Sequence, residues 1–200
     1  MKGRLLLLGV GLIGLALLIV LGLSWLQPRP TTGVRGGDLP APLARLPEAQ
    51  EAYATLEKWM SSWAEDAGVV NAGLAVRPHT DDDSGWSFQV YSPGRKRLVT
   101  VLVTGREVRE LQQRNTPYRQ QTLQGDDWRV TSSTVLREWW QARGAELWKE
   151  AQASTLHLHL GRRRSGAVTW QVIVQDAEGR LSDFWEVDAQ TGAVVDVPQE

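Results

Sequence analysis

Cysteine is absent from all 200 residues. That excludes disulfides, cysteine-ligated metal, thiol catalysis and lipid attachment through a cysteine. An excess of charge of one sign is also lacking. Lys+Arg total 22 against 23 Asp+Glu, a net charge of −1, so the electrostatics of the whole molecule do not point to nucleic acid. Only four of the 22 basic residues are lysine, a bias of composition more than of function. Catalytic signatures are missing as well: neither G-x-S-x-G nor H-E-x-x-H occurs.

The histidines number three. His157 and His159 alternate with leucines in "LHLHL", which places both on one strand face. Two histidines two apart can share a metal, but zinc needs a third or fourth ligand. His79 with Asp81–Asp83 is the other cluster, in a loop between strand patterns. These read as a polar strand face and a solvated acidic turn. Glu186 and Asp188 have no spacing or context that identifies general acid–base work. The expectation is a non-catalytic chain with no metal and no cofactor. "GRRRSG", Gly161 to Gly166, reads as a basic hairpin turn.

Against these gaps stands an uninterrupted uncharged run, Leu5 to Leu26, "LLLLGVGLIGLALLIVLGLSWL". At 1.5 Å per residue, roughly 20 apolar residues span a bilayer core, so it is long enough for a transmembrane helix. Lys2 and Arg4 precede it, which places the N-terminus in the cytoplasm and the remainder outside. Its length exceeds the 7–15 residues of a signal-peptide core. That favours an uncleaved anchor over cleavage near Gly22-Leu23-Ser24. "GVGLIG" within it matches the dinucleotide fingerprint by letter alone: that fingerprint works after a strand and at the opening of a helix, whereas here it lies within the expected membrane span.

Residues 27–42 are rich in Pro and Gly without apolar periodicity and read as a flexible stalk. From Leu46 the spacing changes. Leu46, Ala49, Tyr53, Leu56, Met60, Trp63 and Ala67 recur at threes and fours, an amphipathic helix with Pro47 and Glu48 in its first turn. Val70, Ala72, Leu74 and Val76 then alternate, Trp86, Phe88 and Val90 share a face, and Leu98 to Val103 is a third strand. Arg106 to Asp127 reads as a polar connector. A second helix, Ser133 to Ala151, has Leu136, Trp140, Leu147 and Ala151 inward, with Gly144 allowing close backbone approach. Strands at Thr155–Leu160, Val168–Val174, Leu181–Val187 and Ala193–Val197 close the chain. Ten tryptophans read first as core.

The order helix, strands, helix, strands is an internal repeat that aligns Trp86 with Trp170, Gly94 with Gly179 and Gly105 with Gly192. In the last turn Asp188 and Thr191 carry side chains able to bond nearby backbone N–H groups, and Gly192 can take φ > 0. The expected architecture is α+β: an anchor (1–26), a stalk (27–42), a first unit (43–110), a connector (111–130) and a second unit (131–200). Each unit would pack a helix on its own antiparallel sheet of three to four strands.

Trp170-Gln171-Val172 and Val187 to Val194, "VDAQTGAV", resemble the PepSY domain. That family has an aromatic-led strand, a Gly turn and a strand ending in a "VDAxTGxV" pattern. The resemblance covers Thr131 to Val197, with Trp170, Asp188, Thr191 and Gly192 as its motif residues. The first unit keeps Trp86 and Thr104-Gly105 without the Asp-Ala pair. The resemblance implies a non-catalytic, secreted or membrane-anchored protein that inhibits or regulates a partner such as a peptidase. A structural envelope component without a client, or a metal-dependent hydrolase, are the competing classes.

Overall fold

The computed structural model describes residues 38–77, 84–150 and 155–195. After a four-residue helix α1 (Ala41–Ala44), helix α2 (Ala49–Trp63) buries Ala49, Ala52, Leu56 and Met60, the stripe its spacing dictates. It stops where Ala64 turns to extended backbone and donates its N–H to Met60 O. Strands β1 (Gly68–Val76), β2 (Trp86–Ser92), β3 (Arg97–Thr104) and β4 (Glu107–Asn115) follow. A 3-10 turn at Gly125–Asp127 leads to α3 (Ser132–Trp139), which runs through a π-helical segment, Trp140–Gly144, into α4 (Ala145–Glu150). Strands β5 (Thr155–Arg162), β6 (Val168–Gln175) and β7 (Leu181–Asp188) complete the described secondary structure.

The seven described strands form one antiparallel sheet in the order β4-β3-β2-β1-β5-β6-β7. This corrects the expectation of two units with separate sheets. Each repeat does make its own meander, but β1 and β5 would each be an edge, a row of unpaired N–H and C=O groups. They pair with each other instead, in the register Ala72–Leu160, Leu74–Leu158 and Val76–Leu156. The apolar residues of both repeats thereby line one continuous face, and a single core joins Leu56 and Met60 of α2 to Leu136 and Trp139 of α3 across it. The fold is a seven-stranded sheet with few helices.

Among the described residues no helix is long and apolar enough to cross a membrane. The anchor assigned to Leu5–Leu26, and the stalk up to residue 37, lie outside the described residues. So does the cluster of His79 with Asp81–Asp83.

Smaller corrections concern phase and polarity. The face of β1 contains Val69 in place of Val70, because the pairing with β2 slips between Val69 and Asn71. A bulge of this kind turns the following residues onto the other face. The stretch read as a connector contains β4, in which no residue is buried and only Val108 is partly so. Its hydrogen bonds to β3 hold it, without an apolar face of its own. It occupies the place in the first repeat that the terminal strand occupies in the second. There, Ala193–Val197 contributes one bridge, Val187 to Val194, among the described residues.

Candidate functional site

The equivalence of the repeats is built from two indoles. Trp86 and Trp170 are both 0% exposed and meet edge to face, with ring centroids 5.8 Å apart. Trp86 Nε1–H donates to Pro47 O at 2.8 Å, and Trp170 Nε1–H donates to Val130 O at 3.0 Å. Each acceptor lies two residues before the first residue of a helix, Ala49 in one case and Ser132 in the other. A buried indole needs a partner for its N–H. Here the same partner is met twice, and it fixes where each helix enters over the sheet.

The two helix entrances consequently meet at the seam. Glu48, the residue before α2, crosses to α3. Its Oε2 accepts from Ser132 Oγ at 2.7 Å and from Ser133 N–H at 3.3 Å. In return Ala49 N–H donates to Ser132 Oγ at 3.1 Å, and Gln50 Nε2–H donates to Val130 O at 3.2 Å. A carboxylate at the N-terminus of a helix satisfies open N–H groups and opposes the positive end of its dipole. Thr131 caps α3 from within, its Oγ1 accepting from Thr134 N–H at 3.2 Å.

Beside this junction lies a cleft of about 490 Å³. Leu74 and Leu158, paired across the β1–β5 seam, and Trp86 of β2 close its base. One wall is residues 38–48, with Asp38, Leu39 and Glu48; the other is α3 and the π segment, with Ser133, Leu136, Arg137, Trp140 and Gln141. The volume falls within the 300–1,000 Å³ usual for ligand sites. The π segment bordering it has a local cause. Trp139 is fully buried and donates its Nε1–H to Asp183 Oδ2 at 2.9 Å, while Arg143 bonds Asp183 Oδ1 at 2.9 Å. The chain passes so close to this ring that a Cβ on Gly144 would lie 2.7 Å from Trp139 Cε3. The wider turn leaves Trp139 in the core while Trp140 and Gln141 line the cleft.

The motif residues occupy other places. Trp170 is in the core under the seam. Asp188, Thr191 and Gly192 form the turn that ends β7. Asp188 Oδ1 accepts from Gln190 N–H at 3.0 Å, Thr191 N–H at 2.8 Å and Thr191 Oγ1–H at 2.9 Å. These bonds, led by that of the Thr191 N–H, hold the Asp188 carboxyl below the usual carboxylate range. Gly192 takes φ 76° and Gly105, at the equivalent turn, φ 58°. None of the three turn residues reaches the cleft.

His157 and His159 stand on the sheet face opposite the helices. His157 Nε2 lies 3.1 Å from Gln175 Oε1. Burial pushes the His159 pKa down, opposed by its hydrogen bond with Gln171. Among the described residues no three His, Asp or Glu side chains converge as a metal site would require. Glu186, on the same face, is 3% exposed and accepts from Thr169 Oγ1–H at 2.6 Å and Gln171 Nε2–H at 3.1 Å. Arg163 approaches it at 3.5 Å, and Arg162 pairs with Asp127 at 2.6 Å. Two of the three arginines of "GRRRSG" therefore tie the hairpin to its own fold.

Sequence reasoning missed the cleft. Glu48 reads as a first-turn residue of its own helix, yet it bonds the other one. The run Thr131-Ser132-Ser133, all residues suited to helix entrances, was the available signal that this terminus would collect partners.

No family model and no curated protein matches the chain, so the resemblance to PepSY rests on the residues themselves. Among solved structures, the crystal structure of a candidate lipoprotein from Clostridium difficile 630 aligns with 84% of this chain and 99% of its own. The identity is 10% and the TM-score 0.42, too low to establish a shared fold.

Proposed function

We propose that the chain is a non-catalytic, extracytoplasmic binding protein that modulates an envelope partner, with a peptidase as the first candidate. The observation that carries this reading is the cleft at the seam, whose mixed polar and apolar lining comes from both repeats and both helix entrances. A concave site with a few converging polar groups is the usual form of a binding site. The uncharged Leu5–Leu26 run supports a place outside the cytoplasm, held at the membrane by that run. The PepSY-like residues of the second repeat supply the expectation of a regulated client.

Chemical cross-linking in native membranes, followed by purification of the full-length chain, tests this. A regulator retains one client in stoichiometric amount, and adding the purified chain changes that client's rate of peptide hydrolysis. Recovery of the chain with cell-envelope polymer alone, and with no client, would replace the regulatory reading with the structural one.

A further inference from the structure

The rim of the cleft holds three charged side chains: Asp38 and Glu48 on one wall and Arg137 on the other. Among the described residues none of the three is in an ion pair. Glu48 bonds Ser132 and Ser133 through Oε2, and among the described residues no hydrogen bond is made to its Oε1. Beneath the rim, Leu74, Trp86 and Leu158 are 3%, 0% and 1% exposed and close the base, so the apolar side chains open to the cleft are those of Leu39 and Leu46, which are only partly buried. A long acyl chain needs a continuous apolar wall and has nothing to offer two carboxylates and a guanidinium. A peptide has backbone donors and acceptors for a rim of both signs, an apolar side chain for Leu39 and Leu46, and a cation for the acidic wall. The π-helical turn on the opposite wall, a feature frequent at functional sites, sets Gln141 at the mouth.

Building on the binding reading above, we propose that the cleft takes a short peptide segment of the client in which a basic residue stands beside leucine-sized side chains. The basic group lies against Asp38 and Glu48, an apolar side chain lies against Leu39 and Leu46, and the backbone runs between Arg137 and Gln141.

The test uses the full-length chain in nanodiscs and fluorescence polarisation of labelled peptides with blocked termini. The probes are Gly-Leu-Lys-Leu-Gly, its acidic counterpart Gly-Leu-Glu-Leu-Gly, and Gly-Ser-Lys-Ser-Gly. The first should bind at least fivefold more tightly than either of the others. Asp38→Asn and Glu48→Gln should each weaken it about fivefold, and Gln141→Trp, at an exposed position, should block it tenfold or more. Glu48 also bonds α3, so Asp38→Asn and Gln141→Trp, whose melting midpoints should match the parent, decide the matter if Glu48→Gln loses stability. Equal binding of the acidic peptide, or binding insensitive to Asp38→Asn and Gln141→Trp, overturns the assignment. So does binding of dodecylphosphocholine, blocked by Gln141→Trp, with no peptide bound. A client that co-purifies equally with parent and Gln141→Trp also overturns it, while the binding-protein reading stands. Absence of both peptide binding and client overturns the two together.

Discussion

Replacing Leu158 with alanine tests whether the two repeats are one folding unit. Leu158 is 1% exposed and lies on β5, paired with Leu74 of β1 on one side and Val172 of β6 on the other. Truncation removes apolar area at the seam and leaves a cavity, which costs roughly 2–5 kcal/mol for a buried leucine. The adjoining cleft gives the site some freedom to relax, so about 3 kcal/mol is the working figure. At about 2–4 °C per kcal/mol for a domain of this size, the melting midpoint should fall by roughly 6–12 °C. The location of the loss distinguishes the alternatives. In a single sheet, amides of β2 and β3 lose exchange protection together with those of β6 and β7, and calorimetry shows one transition displaced as a whole. Should β6 and β7 alone lose protection, with a second transition emerging, the repeats are independent and the shared core is not what stabilises them.

Gly192→Val and Gly105→Val should each destabilise by roughly 1–3 kcal/mol, because both glycines take positive φ. Nothing lies within 4 Å of a Cβ at Gly105, so strain alone acts there, and its thermal melt should shift about as far as that of Gly192→Val. On sequence the first turn looks degenerate and its glycine less demanding; a shift confined to Gly192→Val would favour that view. Acid should weaken the fold through Asp66 and Asp188. Hydrogen bonds from Ser92 and the Gly94 N–H to Asp66, and from the Thr191 N–H to Asp188, hold both carboxyls below their ordinary range. Their contribution is therefore complete above the unfolded pKa of about 4 and is lost as pH falls through the depressed folded values. Urea melts from pH 6 to pH 2 should show the parent losing more stability than the Asp66→Asn, Asp188→Asn double variant. Protein purified without chelator should carry no stoichiometric zinc by elemental analysis. One zinc per chain that disappears on changing His157 and His159 to alanine would restore the hydrolase reading.

Sequence alone determined the local elements whose signal is an apolar period. The stripe Ala49, Leu56, Met60 makes α2, and the alternation at Trp86, Phe88, Val90 and at Leu156, Leu158, Leu160 makes strands that each put one face in the core. The repeat was legible too, since Trp86 and Trp170 hold equivalent bonds at equivalent helix entrances. Tertiary structure decided the rest. Strand β4 has no apolar face to announce it, because its stability comes from backbone bonds to β3. The joining of β1 to β5 is a choice between two edges, and side-chain period carries no record of which edge pairs with which. The π turn depends on how closely Gly144 meets a ring held by Asp183, 44 residues from Trp139 in sequence. The cleft exists only where these meet, with Glu48 and Ser132 brought together across 84 residues of chain. Periodicity reports which side of an element faces inward; which two elements share that interior is settled by contacts between residues far apart in the chain.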